Sequence, residues 1–207
     1  MRSMRMACMA AALVLAACVP TPAPEATEPV LASTEVLQEA APSSTEEGAD
    51  SAPVDFALTS PVFMEGGAIP DRYTYNLPGQ CSGDNFSPSL AWTGVPDGTE
   101  SIAVLVVDPD GGDWVHWLQF NIPADAAGLD EAIGGPDVGV KGMNDFGEPG
   151  YGGPCPPSGT HRYVFTLYAL DMLLPLPINS NRADFESAIQ GHVLDEAQLT
   201  GSRSRSQ

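Results

Sequence analysis

The middle of the chain contains the stretch Ser101-Ile102-Ala103-Val104-Leu105-Val106-Val107-Asp108, an apolar run rich in valine that ends in an aspartate. A short continuous apolar run of this kind is typical of a strand buried on both faces. Two further apolar stretches follow, at Trp114–Ile122 and at Tyr163–Leu170. We predict that all three are central strands of one sheet, the first two joined by a hairpin at Pro109–Asp113.

The flanking segments repeat this pattern of short apolar runs separated by turn residues. Further extended segments are predicted at Phe56–Phe63, Arg72–Asn76 and Ser89–Trp92. Only Ala183–Leu199 has apolar residues three and four positions apart, with Asn181 placed to cap a helix. The domain is therefore predicted to be a mostly β sandwich with a few peripheral helices, including a C-terminal helix.

The composition limits the partners of this chain. Among 207 residues, 8 are basic and 27 acidic, which gives a net charge of −19. Such a surface repels the phosphates of nucleic acids and anionic lipid headgroups. We therefore exclude nucleic-acid binding and membrane binding through a basic patch. An anionic ligand would need a local, sheltered site.

The N-terminus has the features of an export signal. Arg2 and Arg5 precede an apolar run, Met6–Ala17, which is too short to span a bilayer. The run ends in Leu15-Ala16-Ala17-Cys18, which resembles the lipobox of bacterial lipoproteins. We predict that residues 1–17 are a signal peptide and that Cys18 carries the lipid. A plain secretory signal with a chance cysteine is the alternative.

The segment that follows differs from the rest of the chain. Val19–Val54 contains six prolines, seven acidic residues and no basic or aromatic residue. It cannot bury enough apolar surface to offset the entropy lost on ordering. We predict a disordered acidic tether over residues 18–54 and a folded domain over 55–207. The domain would face the periplasm or the cell exterior, anchored only through the lipid on Cys18.

Polar side chains terminate the predicted central strands. Side chains alternate between the two faces of a strand, so Asp108, His116, His161 and Tyr163 each continue an apolar face. If neighbouring strands are antiparallel, these four residues share one sheet end and form a small-ligand pocket. Each histidine taken alone could be structural, as we expect for His192. The predicted faces are Ile102, Val104, Val106 and Asp108; Trp114, His116, Leu118, Phe120 and Ile122; and His161, Tyr163, Phe165, Leu167 and Ala169.

The loop Gly147–Thr160 is rich in glycine and proline and leads directly into His161. Glycines let backbone N–H groups approach a ligand, and prolines stiffen a loop. We favour an anion-cradling loop over a purely rigid connection. Cys81 and Cys155 are the two cysteines of the domain, and in an exported protein they indicate a disulfide. Two reduced thiols near the pocket are the alternative.

Two motifs fail when their context is considered. The stretch Asp108–Asp113 suggests a calcium loop, but aspartate stands where that loop needs glycine and Gln119 where it needs glutamate. No metal or other cofactor is therefore expected. Gly79–Gly83 matches a nucleophile elbow, but the residues before it are polar and broken by proline, so no buried strand precedes it.

Several stretches closely resemble the phosphatidylethanolamine-binding protein family, nearest to its bacterial branch, often labelled Raf-kinase-inhibitor-like or YbhB/YbcL. They are Asp108-Pro109-Asp110, Trp114-Val115-His116-Trp117, Asn144-Asp145-Phe146-Gly147 and Tyr151–Tyr163, which includes Gly-Pro-Cys-Pro-Pro and His-Arg-Tyr. The resemblance covers Phe56–Gly201. It implies a Greek-key sandwich of a large and a smaller antiparallel sheet, and a pocket for phosphate-type anions and phospholipid headgroups.

Carried over residue by residue, the resemblance implies that Asp108, His116, His161 and Tyr163 line this pocket. Its loop would contain Gly153, Pro154 and Pro157. The chain departs from the family pattern after Asp110, because Gly111-Gly112-Asp113 is short, so we expect a more open pocket rim.

These observations predict a non-enzymatic binding module for small anionic ligands. A further hypothesis is that the module regulates a protein partner, which the sequence does not identify. An anion would contact His161 and loop N–H groups, while Asp108 orients His116 or accepts a ligand ammonium. One alternative is a weak hydrolase that uses His116 or His161 as base, for which Ser158 is the nearest serine. The other is an inhibitor of proteases or other proteins that acts through its surface.

Overall fold

The computed structural model describes residues 54–205, within which two antiparallel sheets pack face to face. The signal peptide, Cys18 and nearly all of the tether lie outside these residues and stay predictions. The strands are β1 (Ala57–Thr59), β2 (Asn76–Leu77), β3 (Cys81–Ser82), β4 (Leu90–Thr93), β5 (Ser101–Asp108), β6 (Trp114–Pro123), β7 (Gly128–Leu129), β8 (Val140–Lys141), β9 (Thr160–Leu170) and β10 (Val193–Ser204).

The larger sheet has the strand order β10-β9-β5-β6-β8, the smaller has the order β1-β4-β7, and β2 pairs with β3. The described residues include one α-helix, α1 (Arg182–Ala188), and 3₁₀ turns at Asp71–Tyr73 and Pro109–Gly111. The prediction of a mostly β, antiparallel sandwich with few helices is confirmed. None of the helical segments in residues 54–205 has the length and apolarity needed to cross a membrane.

Two apolar clusters cover the two faces of the larger sheet. Between the sheets, β5 and β9 side chains pack against the smaller sheet at Leu58, Leu90 and Trp92. On the outer face, Leu118 and Phe120 pack with other side chains against Phe185 of α1. The central strand β5 is therefore buried on both faces, as its valine-rich sequence predicted.

The prediction of one helix over Ala183–Leu199 is wrong beyond its first two turns. Asn181 caps α1 as expected, since its side chain accepts from Asp184 N at 3.0 Å. The helix ends at Ala188, the chain turns at Gly191, where φ is +79°, and β10 follows. β10 pairs with β9 along its length, and this long-range ladder overrides the helical spacing.

Two other predicted strands are shorter than expected. Of Phe56–Phe63, only β1 is a strand, because Pro61 has no N–H to continue the ladder. Within Arg72–Asn76, the chain forms the 3₁₀ turn at Asp71–Tyr73 and joins β2 only at its end. Tyr73 N bonds to Pro70 O at 3.0 Å, and the tyrosine ring is buried.

The predicted face of β6 is also wrong in part. Leu118 and Phe120 belong to the outer cluster, whereas Trp117 and Ile122 belong to the cluster between the sheets. The register against β5 shifts twice, once between Val106 and Val107 and once between Ile102 and Val104. Each shift is a β-bulge, which exchanges the faces of the residues beyond it.

Candidate functional site

A cavity of about 250 Å³ opens at the end of the larger sheet where β5 ends and where β6 and β9 begin. The antiparallel pairing of β5 with both neighbours brings these strand tips together. The lining residues are Asp108, Gly111, Trp114, His116, Phe146, Cys155, Pro157, His161 and Tyr163.

Asp108 is a buried carboxylate, and both of its oxygens accept hydrogen bonds. One oxygen accepts from Asp110 N at 3.0 Å and from Gly111 N at 2.8 Å, because Asp108 caps the turn that follows β5. The other oxygen lies 2.7 Å from His161 Nδ1. Asp108 therefore orients His161, and the expectation that it orients His116 is wrong. Because the carboxylate accepts, Nδ1 of His161 is the donor, and Nε2 is left for a ligand.

His116 is held by the pocket loop instead. Its Nδ1 lies 2.6 Å from Gly152 O, and Gly152 N donates to His116 O at 2.7 Å. A carbonyl can only accept, so Nδ1 carries the proton. Burial lowers the pKa of His116, although the bond to Gly152 opposes this. Near neutral pH its Nε2 is consequently an acceptor.

His116 is the extra residue of the bulge between Val106 and Val107. The bulge places both His116 and Trp117 on the side of the sheet that faces the smaller sheet. Sequence alternation thus gave the correct face for His116 but the wrong neighbours. No feature of the local sequence predicts this bulge, apart from the Trp-Val-His-Trp motif itself.

Tyr163 contributes a hydroxyl to the same cavity. The residue is only 1% exposed, and its hydroxyl lies beside the Asp108 carboxylate without making a hydrogen bond of standard geometry within residues 54–205. Burial raises its pKa, and the negative charge of Asp108 raises it further, so the group remains a phenol that can donate. Its ring packs edge-on against His116 with centroids 5.0 Å apart.

Aromatic rings form one wall of the cavity. Phe146 contacts Trp114 and His116 edge-on, with centroids 5.5 and 5.4 Å away, and stacks on Tyr75 at 4.2 Å. Phe146 was not among the predicted site residues, although it lies in the Asn144-Asp145-Phe146-Gly147 stretch that carries part of the family resemblance. A signal was present in Asn144, whose Oδ1 accepts from the N–H groups of Phe146 and Glu148 and so fixes the turn.

The predicted pocket loop is only partly at the pocket surface. Pro157 lines the cavity, whereas Gly153 and Pro154 do not. Gly153 N donates to Asn85 Oδ1 at 2.8 Å, and a Cβ at Gly153 would lie 2.3 Å from Tyr73 O. Its N–H and that of Gly152 both bond within the protein, so the predicted cradle of N–H groups is not formed there.

A disulfide ties this loop to the β2–β3 hairpin. Cys81 and Cys155 are joined, with their Cα atoms 5.8 Å apart. Asp110 adds a second tie beside the cavity, because it accepts from Arg162 N, Nε and Nη2 at 2.8–2.9 Å. These bonds hold the pKa of Asp110 below its usual range. Both rims of the cavity are therefore fixed to neighbouring elements.

The comparisons with known proteins agree with this architecture. A family model described as phosphatidylethanolamine-binding protein matches residues 59–204. A UPF0098 protein of Methanothermobacter thermautotrophicus is 47% identical over 150 residues, which are 70% of this chain and 95% of that protein. The UPF0098 protein YbcL of Escherichia coli is 40% identical over 151 residues, which cover 68% of this chain and 80% of YbcL.

Solved structures support the same assignment. The crystal structure of Escherichia coli YbcL aligns with a TM-score of 0.68 at 37% identity and covers 73% of this chain and 99% of that chain. A homologue from Chlamydia trachomatis aligns with a TM-score of 0.64 at 35% identity and covers 71% of this chain and 95% of that chain. The chain therefore belongs to the phosphatidylethanolamine-binding protein family.

Proposed function

We propose that the domain binds small anionic ligands, phosphate or a phosphoester such as a phospholipid headgroup, and is not an enzyme. The observation that carries the proposal is the Tyr163 hydroxyl, which is buried beside the Asp108–His161 pair in a cavity of about 250 Å³ and makes no hydrogen bond of standard geometry to the described residues. A buried polar group without a partner is costly, so the site favours a ligand that accepts from it.

The polar atoms of the cavity are complementary to a partly protonated phosphate. His161 Nε2, once protonated, and the Tyr163 hydroxyl are donors to anionic oxygens. His116 Nε2 is an acceptor and can bind the hydroxyl of a protonated phosphate or the ammonium of a zwitterionic ligand. A charged imidazole is a stronger donor to an anionic oxygen than a neutral one, so we expect tighter binding at acidic pH.

Calorimetry can test this with the full chain carrying Cys18→Ser, which removes the proposed lipid. Phosphoethanolamine and inorganic phosphate are titrated at pH 5.5 and pH 7.5. In His161→Asn, the amide can still donate to Asp108, but Nε2 is lost. We expect a roughly 10- to 100-fold loss of affinity, as for a charge-assisted hydrogen bond.

Tyr163→Phe is the matched variant on the same strand. It should weaken binding by roughly 2- to 10-fold with little change in stability, because the hydroxyl makes no hydrogen bond of standard geometry to the described residues. Undetectable binding of both ligands at both pH values, or an unchanged affinity in His161→Asn, would overturn the proposal.

The proposal includes a location. An exported domain tethered by a lipid on Cys18 fits the order of charge, apolar run and Leu-Ala-Ala-Cys box at the N-terminus. The Cys81–Cys155 disulfide supports an oxidising compartment. The mass of the mature chain is the test: we expect cleavage before Cys18 and added acyl chains. An unmodified Cys18, or a leader still attached, would contradict it.

One observation favours hydrolysis as a second candidate. An imidazole held by a buried carboxylate, as His161 is by Asp108, is the arrangement of a general base. The exposed Ser158 is not among the residues that line the cavity, so the attacking group would have to be water. Turnover of a nitrophenyl ester or phosphoester that disappears in His161→Asn would favour this candidate over a binding module.

A further inference from the structure

A second, smaller cleft lies on the other side of the pocket loop. Alternate residues of the loop face opposite ways: Cys155 and Pro157 line the ligand cavity, whereas Pro154 and Pro156 line the cleft. The cleft has a volume of about 20 Å³, which is room for one water-sized group. Its polar lining includes Asp71, Thr74, Ser82, Arg203, Ser204 and Arg205.

Two of the few basic residues of this acidic chain meet in that cleft. Residues 54–205 contain six basic residues. Five of the six have a carboxylate partner at 2.6–3.0 Å, and Arg205 is the one cation of the described residues without an ion pair. The five paired residues are Arg72, Lys141, Arg162, Arg182 and Arg203.

Arg205 is also unsatisfied as a hydrogen-bond donor. Its Nη1 is buried and has no acceptor within residues 54–205. Its backbone is fixed by a bond from Arg205 N to Gly159 O at 2.8 Å. A guanidinium cannot lose its charge in a protein, so an unpartnered buried nitrogen carries a large desolvation cost. An anionic acceptor would remove that cost.

The other groups of the cleft leave a net positive charge. Asp71 is the one carboxylate among the lining residues that the structure describes, and Arg203 Nη1 already pairs with it at 2.6 Å. Thr74 Oγ1 donates to Asp71 O at 2.8 Å, and Ser204 Oγ bonds to Thr160 Oγ1 at 2.7 Å. Among the described residues, two guanidinium groups and one carboxylate therefore give the cleft one unit of excess positive charge.

We propose that this cleft is a second anion site that takes a single anionic atom, either a halide ion or one carboxylate oxygen, against Arg205. The volume encloses a single atom and not a whole tetrahedral phosphate, so the site differs from the cavity at His161 in the size of the group that it can enclose. It is independent of the function proposed above, because the two sites are separated by the disulfide-linked loop and share no lining residue.

The test is bromide binding by the full chain, measured as excess line broadening in bromine NMR. We expect broadening in the wild type and its loss in Arg205→Gln, which removes the charge but keeps an amide donor. Arg182→Gln is the control, since Arg182 is on α1 and already pairs with Glu186 at 2.6 Å. Equal broadening in wild type and Arg205→Gln would overturn the proposal.

Two further arms separate the alternatives. His161→Asn should keep the broadening; its loss there would move the bromide to the ligand cavity and overturn the second site. Added acetate that displaces bromide supports the site with a carboxylate oxygen as occupant, and failure to displace it supports a halide. Thermal melts of Arg205→Gln should show an unchanged or higher Tm, because the variant removes a cation whose buried Nη1 has no acceptor among the described residues.

Discussion

Strand β6 contains two β-bulges against the same partner, β5, and the two bulges have different roles. One places His116 between the partners of Val106 and Val107, and the other places Asn121 between the partners of Ile102 and Val104. Asn121 has a φ of +55°, in the left-handed region. Both insert one residue into the ladder, yet only the first lies at the ligand cavity.

The difference lies in how much of each side chain the protein itself uses. Both polar atoms of the Asn121 amide bond to the backbone of one residue: Leu174 N donates to Oδ1 at 2.7 Å, and Nδ2 donates to Leu174 O at 3.0 Å. His116 gives one nitrogen to Gly152 O and leaves the other facing the cavity. A β-bulge therefore has a structural role at Asn121, where both polar atoms of the side chain bond within the protein. At His116 it contributes to the ligand cavity, because one ring nitrogen is left for a ligand.

The largest expected effect comes from removing the Cys81–Cys155 disulfide, which holds the loop beside His116. In Cys81→Ser/Cys155→Ser, we expect the free energy of unfolding to fall by about 4 kcal/mol, from the entropy of opening a loop of sequence separation 74. Urea unfolding measures this. Hydrogen exchange should show a larger loss of protection near Gly152 than near Leu174, and an equal loss at both would contradict the contrast.

Asn121→Ala should have the next largest effect. It leaves the Leu174 backbone groups unpaired and puts an alanine at positive φ, so we expect a loss of about 2–3 kcal/mol in the free energy of unfolding. Asn121→Gly is the matched control, because glycine tolerates this φ and isolates the hydrogen bonds. Affinity for phosphoethanolamine should be unchanged in both; a weaker affinity would show that the two bulges are not independent.

His116→Asn should reverse this pattern. The amide nitrogen replaces Nδ1 as donor to Gly152 O, so the free energy of unfolding should change by less than about 1 kcal/mol. The acceptor at Nε2 is lost, and we expect affinity for phosphoethanolamine to fall by roughly 2- to 10-fold in calorimetry. A large loss of stability with unchanged affinity would make His116 structural, like Asn121.

The smallest effect is a pH dependence that only the histidine bulge can show. Because burial lowers the pKa of His116, the unfolded chain takes up a proton near pH 6.5 while the folded chain does not. Stability contributed by His116 is therefore full above pH 6.5 and is lost as the pH falls toward the lowered pKa. Denaturation curves should show a steeper acid loss in the wild type than in His116→Asn; parallel curves would contradict this.

Local patterns predicted a large part of the site. The run Ser101–Asp108 is buried on both faces, as its sequence indicated, and antiparallel pairing brings Asp108, His116, His161 and Tyr163 to one cavity. Strand alternation placed Asp108, His161 and Tyr163 correctly because β5 and β9 pair without a register shift. The cap at Asn181 was also predictable, since a capping box is a local interaction.

The sequence by itself determined the central strands, the set of polar strand tips and the family, because these depend on side-chain type and spacing over a few residues. Only the tertiary structure decided that Val193–Ser204 is a strand, that bulges divide β6, and that Asp108 pairs with His161 rather than His116. Each of these depends on a partner distant in the sequence. The spacing of residues along one segment does not indicate which distant segment it will pair with. The long-range hydrogen bonds that form in the folded domain outweigh the local preference of that segment.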